Sequence, residues 1–299
     1  MEKPVSRSPI RTVVHLTRLH IIAIACLTSL TFGWLMTGRH MWLPVLFCAL
    51  DWFVVNFVNR VVDLAEDTRN GVVGTDLVAR HGRRYEILGW GVLAVGLAVG
   101  QLLAPELTVW RLLFSAVGLF YNYRWIPLGR RRTRFKELYF WKNFMSGVLF
   151  LLSTIAYPLA SGHAQPSSAW LLVLIGFFLP LEITYEIIYD LRDVQGDAAQ
   201  GVPTYPVVHG LATSYRLVYS LLGLSALAVA VGGISGVWAL QELVLLGGVI
   251  QQLIYFHYRI RQEATAERCV FLTWLGAAQV ASYNLWIVAG LPTTWGTAL

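Results

Sequence analysis

The chain has 299 residues, of which 56% are hydrophobic and only 13% are charged. Its mean hydropathy is +0.58, whereas a water-soluble domain carries about 25% charged residues, so an ordinary soluble protein is excluded. The net charge of +6 does not indicate binding to nucleic acid, because the lysines and arginines lie in loops between apolar segments. Basic loops of this kind set the topology of a membrane protein and can contact anionic membrane lipids.

Nine apolar segments follow one another along the chain, each of about 17–25 residues and so long enough to cross a bilayer as a helix. We predict spans at residues 15–36, 41–60, 86–104, 106–122, 137–159, 168–190, 212–232, 238–258 and 270–290. A polar segment, residues 1–14, precedes them, and residues 1–299 are expected to form one transmembrane domain. The pattern predicts an all-α bundle of membrane helices around a central cavity.

Lysines and arginines are concentrated before the first predicted span and after the even-numbered spans. On the other side we find only Arg39 and, beside a span, Arg111. The positive-inside rule therefore predicts a cytoplasmic N-terminus. We expect an integral protein of a bacterial cell membrane, with its acidic clusters on the cytoplasmic side.

Three aspartates with helical spacing follow the sixth predicted span. Asp190, Asp193 and Asp197 are three and four residues apart, so their carboxylates share one face of a helix. Like charges beside hydrocarbon repel one another and are costly to desolvate. A hard cation such as Mg²⁺ removes both costs, because it binds carboxylate oxygens together with substrate phosphates.

A second polar cluster, with the same helical spacing, follows the second predicted span. It consists of Asn59, Asp63 and Asp67. Two acidic helix ends that face each other across a cavity would form a metal–diphosphate site. Tyr185 and Tyr189 share the helix of the other cluster, where aromatic rings can stabilise a carbocation by cation–π attraction.

Further ionisable residues lie inside the predicted spans, among them Asp51 and Glu182. Such residues usually face the interior of a bundle and mark function. The alternative left open is a structural ion pair, for instance of Asp51 with Arg18 or of Glu182 with Lys142. A transporter is a further alternative, but it is disfavoured because the acidic residues cluster at one end and no inverted repeat is visible.

Two segments of the chain resemble the aspartate-rich motifs of the UbiA superfamily of intramembrane prenyltransferases. Residues 185–197 (Tyr-Glu-Ile-Ile-Tyr-Asp-Leu-Arg-Asp-Val-Gln-Gly-Asp) are similar to the second motif, and residues 201–210 are similar to the Gly…Thr-x-Pro…Gly stretch that follows it. Residues 59–67 resemble the first motif, N-D-x-x-D-x-x-x-D, but Arg60 replaces its first aspartate. The family's nine helices, with motifs after the second and the sixth, agree with the predicted topology.

The resemblance implies Mg²⁺-dependent ionisation of an isoprenyl diphosphate and transfer of the prenyl group to an aromatic or lipophilic acceptor, with release of diphosphate. It implies that five aspartates hold Mg²⁺ and act in catalysis together with Tyr185 and Tyr189: Asp63, Asp67, Asp190, Asp193 and Asp197. The residues expected to contact substrate are Asn59, Arg60, Arg69, Arg80, Lys136, Lys142 and Asn143.

Two departures from the family pattern keep a second reaction open. Arg60 removes a potential Mg²⁺ ligand and adds a cation that can pair with phosphate or with a neighbouring carboxylate. Arg18-Leu19-His20 replaces the family's usual Arg-Pro, near the position that often helps to hold an acceptor. The alternative is a UbiA-type terpene cyclase, in which an internal double bond captures the cation and no acceptor is needed.

Overall fold

The computed structural model describes residues 14, 16–69, 72, 74–162 and 166–290. Most of the polar segment predicted at residues 1–14 lies outside these residues. The described α-helices are α1 (Leu19–Thr37), α2 (Trp42–Val62), α3 (Leu64–Arg69), α4 (Thr75–Leu103), α5 (Thr108–Asn122), α6 (Trp141–Ser161), α7 (Ser168–Gln200), α8 (Tyr205–Ile234), α9 (Gln241–Ile260) and α10 (Ala266–Val288). The predicted all-α membrane bundle is confirmed.

Seven of the described helices are long and apolar enough to cross a membrane: α1, α2, α4, α6, α7, α8 and α9. Helices α5 and α10 lie at the fourth and ninth predicted spans but are not among the seven, and α5 has only 15 residues. The count of nine spans and the cytoplasmic N-terminus therefore stay predictions.

Six helices form a ring of contacts, which runs from α1 to α2, α5, α6 and α7, and then through α10 back to α1. The second half of α6 also packs directly against α1. Helices α4, α8 and α9 pack around the outside, with α8 lying along much of α7. The two helices that carry the acidic clusters, α2 and α7, are therefore separate members of one ring.

The ring is braced by a buried ion pair that joins α2 to α5. Arg111 donates from Nε and Nη2 to the Asp51 carboxylate at 2.9 and 2.7 Å, and from Nη1 to the Gly96 carbonyl at 2.7 Å. Tyr157 of α6 donates to the same carboxylate at 2.8 Å. Asp51 is thus a structural residue, but its partner is Arg111 rather than Arg18.

The acidic motif on α7 is continuous with the membrane helix. Ser167 caps the start of α7 by accepting a hydrogen bond from the Trp170 backbone, and Gly201 ends it in a left-handed conformation with φ of 68°. All three aspartates lie within these limits, as their spacing predicts. The other motif is divided, since α2 ends at Val62 and Asp63 stands between α2 and α3.

A small β-hairpin lies between α5 and α6. Its strands, Ile126–Leu128 and Arg131–Thr133, pair in antiparallel register around Gly129, which has φ of 60°. Three-residue strands leave too little periodicity to be predicted from sequence. The hairpin directs the chain back toward the bundle at Arg134 and Lys136, which both reach the acidic clusters.

Candidate active site

Asp63 is the centre of the first cluster and is almost completely buried. Arg134 contacts its Oδ1 at 2.5 Å, and Lys136 contacts its Oδ2 at 2.6 Å. Asn59 also donates to Oδ2, at 2.7 Å, and to the Asn122 side chain at 2.8 Å. The side chain of a residue at the end of α2 is therefore held by the loop that follows the hairpin.

The remaining acids of this cluster are also paired with cations. Lys136 contacts both Glu66 oxygens, at 2.6 and 2.7 Å. Arg60 contacts Asp67 at 2.7 Å, and the side chains of both residues are about nine-tenths buried. Arg60 thus makes the pairing with a neighbouring carboxylate that the sequence allows.

Asp190 of the second cluster is almost completely buried, with 2% of its surface exposed. Lys142 contacts its Oδ1 at 2.6 Å, and Asn143 donates to its Oδ2 at 2.9 Å. Lys142 also lies 3.5 Å from Asp197 Oδ2, whereas Asp193 pairs with the adjacent Arg192. The structural alternative of a Glu182–Lys142 pair is wrong, because Lys142 is held by the aspartates.

The two clusters act on each other electrostatically across the ring. Tyr121, at the end of α5, interacts with Asp63 of the first cluster and with Asp190 and Glu186 on α7. Glu66 in turn interacts with Asp197. That the two acidic helix ends face each other across a cavity stays a prediction, which these interactions support.

Tyr185 and Tyr189 contact the helices on the other side of the ring. The Tyr189 hydroxyl lies 2.9 Å from Thr273 Oγ1 on α10, and its ring stacks on His20. The Arg192 guanidinium lies 4.9 Å from the centre of the Tyr189 ring, so this ring already contacts a cation. Tyr185 lies so close to α10 that a Cβ at Gly276 would be 2.5 Å from its hydroxyl.

Two predicted substrate contacts are not brought to the clusters. Arg69 and Arg80 are exposed, and no hydrogen bond or ion pair among the described residues joins either to an acidic residue. Arg134 and Tyr121 were missed by sequence reasoning. Arg134 looks like one more basic loop residue, and Tyr121 like part of an interfacial aromatic belt, so no local signal separates them from their neighbours.

No group of three acidic, histidine or cysteine side chains among the described residues is arranged as a ready-made metal site. The aspartates are instead interleaved with arginines and lysines. This donor set suits a hard cation and a phosphate together, because carboxylates bind the metal while guanidinium and ammonium groups bind phosphate oxygens.

The pairing of Asp63 predicts a particular dependence of stability on pH. Burial by itself would raise the pKa of Asp63, but the charges of Lys136 and Arg134 outweigh it and lower the pKa from 3.8 to about 2. A lowered folded-state pKa stabilises the fold above the unfolded-state pKa, and this stabilisation is lost as pH falls through the folded-state pKa. We expect wild-type protein in EDTA to unfold at a higher temperature than Asp63→Asn above about pH 4, and the difference to close toward about pH 2.

The matched control for this measurement is Asp76→Asn, at an exposed position in the first turn of α4. It should leave the unfolding temperature unchanged across the same range. A difference between wild type and Asp63→Asn that persisted at about pH 2 would contradict the assigned pKa.

Comparison with known proteins decides which family this site belongs to. The sequence model of the UbiA prenyltransferase family matches residues 22–276, which is most of the chain. The chain belongs to the UbiA prenyltransferase family. The alternatives of a terpene cyclase and of a transporter find no support in the relatives described next.

Two curated relatives are digeranylgeranylglyceryl phosphate synthases. That of Methanothermobacter thermautotrophicus is 29% identical over 143 residues, which cover 46% of this chain and 47% of the relative. That of Hyperthermus butylicus is 24% identical over 250 residues, which cover 79% and 80%. The chain thus spans about half the length of the first relative and most of the second. Both relatives are archaeal, so a bacterial membrane stays a prediction.

A solved structure shows the same fold. A UbiA homolog from Archaeoglobus fulgidus, bound to GPP and Mg²⁺, superposes with a TM-score of 0.72 at 16% identity, covering 93% of this chain and 99% of the homolog. At that identity the likeness establishes the fold alone. The arrangement of its helices places the present chain among intramembrane UbiA bundles.

Proposed function

We propose that this protein transfers the prenyl group of an isoprenyl diphosphate to a lipophilic acceptor and releases diphosphate. The observation that carries the proposal is that two buried aspartate clusters, one where α2 ends and one on α7, are each held by lysine, and that Tyr121 interacts electrostatically with both. An isoprenyl diphosphate needs such a site at the end of a membrane helix bundle. Its isoprenyl chain requires apolar surroundings, and its anionic diphosphate requires positively charged groups.

The residues present fit Mg²⁺ and a diphosphate. Asp63, Asp67, Asp190, Asp193 and Asp197 would hold the metal, and a structural relative binds Mg²⁺ together with GPP. Bound Mg²⁺ supplies Lewis-acid neutralisation of the charge on the leaving diphosphate. Lys136, Lys142 and Arg134, which contact these carboxylates at 2.5–3.5 Å, are in place to bind phosphate oxygens.

The chain also provides for the allylic cation that forms when the C–O bond breaks. Helices around the clusters are lined by apolar residues, which exclude the water that would otherwise capture the cation. Tyr189 already binds a guanidinium at its ring and is suited to stabilise positive charge. Asn143 fixes the Asp190 carboxylate by a hydrogen bond, and so orients the second cluster.

The site opens to the cytoplasmic side in this proposal. The hairpin that follows α5 carries Arg130, Arg131 and Arg132, all exposed, directly before the two residues that reach Asp63. Arginine-rich loops remain on the cytoplasmic side of a membrane. The acidic clusters lie at the same end as this hairpin.

The test is product analysis with the purified protein in lipid nanodiscs. Geranyl, farnesyl and geranylgeranyl diphosphates are supplied in turn, each with and without a lipid acceptor and with Mg²⁺ or EDTA. We expect diphosphate release that requires both Mg²⁺ and acceptor, together with a prenylated product. A hydrocarbon formed without acceptor would overturn the transferase assignment, and release that is unchanged in EDTA would overturn the metal-dependent mechanism.

A further inference from the structure

A groove lies between α9 and α10, outside the ring interior that holds the aspartate clusters. Its volume is about 500 Å³, and its wall is mostly one face of α9, joined by Leu275 of α10. Gly247, Ile250, Ile254 and Tyr258 line it at intervals of three or four residues, as one stripe along the helix. All four are exposed, so in a membrane this groove faces lipid.

One end of the groove lies at the same end of the bundle as the second aspartate cluster. That end is formed by Arg259, whose backbone carbonyl accepts a hydrogen bond from Arg268 Nη1 at 3.0 Å. Arg268 is in the first turn of α10, next to Cys269, whose Sγ lies 3.8 Å from the Ile188 carbonyl on α7. The groove therefore opens, at Arg259, in the leaflet into which the aspartate clusters also open.

The length of the groove matches the depth of one leaflet. Arg259 is twelve residues beyond Gly247, and a helix rises about 1.5 Å per residue, so the groove follows α9 for about 18 Å. The hydrocarbon core of a bilayer is about 30 Å thick, so one leaflet supplies about half of that depth. A single acyl chain that enters beside Arg259 can therefore lie along the groove to its far end at Gly247.

The charged end of the groove has an unusual backbone. The last five residues of α9, Phe256–Ile260, form a π-helical turn, which is rare and frequently marks a functional position. Arg259 lies in this turn and its side chain is exposed. Neighbouring Arg268 is 3.7 Å from a Glu263 oxygen, whereas none of the ion pairs among the described residues includes Arg259. A guanidinium without a carboxylate partner, at the membrane surface, favours a phosphate group.

We propose that this groove binds an anionic phospholipid, with one acyl chain along α9 and the phosphate at Arg259. An anionic lipid is favoured because the headgroup of a zwitterionic lipid already carries a cation beside its phosphate. The bound lipid would join α9 to α10, and the opposite side of α10 holds the Tyr189 hydroxyl through Thr273. This lipid site is independent of the proposed reaction.

Native mass spectrometry of the full-length protein, released from a mild detergent, tests the proposal by counting the lipids that stay bound. The protein is titrated with phosphatidylglycerol, with phosphatidylcholine of the same acyl chains, and with inorganic phosphate. We expect wild type to bind its first phosphatidylglycerol about 10–100-fold more tightly than phosphatidylcholine, the range expected for one charge-assisted hydrogen bond. Inorganic phosphate should not displace the lipid, because it lacks the acyl chain.

Two variants separate the contributions of the phosphate and the acyl chain. Arg259→Gln should lose the preference for phosphatidylglycerol over phosphatidylcholine. Gly247→Leu fills the far end of the groove and should weaken both lipids. The helix tolerates this change, because a Cβ at Gly247 meets only the flexible end of the Gln279 side chain, at 3.0 Å.

Each variant has a matched control. Arg261→Gln removes an exposed arginine two residues farther on, which contacts Tyr219 of α8 outside the groove. Gly223→Leu adds the same side chain on α8, where a new Cβ meets open space. Both controls should bind the two lipids as wild type does.

Three results would overturn the proposal. Equal binding of the two lipids by wild type, or a preference that survives in Arg259→Gln, would mean that the groove does not select an anionic headgroup. Displacement of the lipid by inorganic phosphate would leave only a phosphate site. A dimer that is present in wild type and absent in Gly247→Leu would mean that a second copy of the chain occupies the groove.

Discussion

Replacing Asp190 by asparagine is expected to lower Mg²⁺-dependent diphosphate release by about 10²–10³-fold, the size of effect seen when one preorganised charge-stabilising group is removed. Asp190 is 2% exposed and is held between Lys142 and Asn143. Asparagine keeps its shape but removes the negative charge that a metal requires. The measurement is the initial rate of diphosphate release in nanodiscs at saturating Mg²⁺ and donor.

The Asp76→Asn variant serves as the control, because it makes the same chemical change at an exposed position outside the clusters. It should release diphosphate at the wild-type rate. Activity that survived in both Asp190→Ala and Asp193→Ala would show that the α7 cluster is not the catalytic site.

Replacing Arg111 alone by methionine is expected to destabilise the fold by about 3–5 kcal/mol, because it leaves a carboxylate buried without its countercharge. The side chains of Arg111 and Asp51 are each only 1% exposed. Asp51→Leu should have an effect of the same order, since it strands the guanidinium. Thermal unfolding of the detergent-solubilised protein, followed by tryptophan fluorescence, measures both changes.

The double variant Asp51→Leu with Arg111→Met should recover much of the lost stability, because neither charge remains buried. Gly100→Ala probes the same pair sterically, since a Cβ there would lie 2.0 Å from Arg111 Nη1. Gly91→Ala is its matched control on α4, where an added Cβ meets open space. Additive losses in the double variant would mean that the two residues do not stabilise the bundle as a pair.

The contacts of Asp51 show how far sequence reasoning extends. A charged residue within an apolar span indicates that a partner exists, because an unpaired charge in hydrocarbon is too costly. The identity of the partner depends on which helix packs beside α2, and Arg111 is 60 residues away along the chain. Arg18 was an equally reasonable partner until the order of helices in the ring was known.

The aspartate clusters, unlike the partner of Asp51, were predictable because their arrangement does not depend on which helices pack together. The spacing of Asp190, Asp193 and Asp197 fixes their common face wherever a helix forms, so no knowledge of other segments is needed. The cations that hold them were only partly predictable. Lys136 and Lys142 were expected to contact substrate, but Arg134 was not predicted. Arg134 reaches Asp63 because the β-hairpin formed by residues 126–128 and 131–133 turns the chain back toward the bundle.

The sequence alone determined the membrane-bundle class, the positions of its helices and the two acidic motifs, because hydropathy and helical periodicity are local properties of consecutive residues. Only the tertiary structure decided which cation each carboxylate meets, for example Arg134 and Lys136 at Asp63 and Lys142 at Asp190. These contacts join side chains from different helices and loops. They follow from how the ring closes, which no single stretch of sequence specifies.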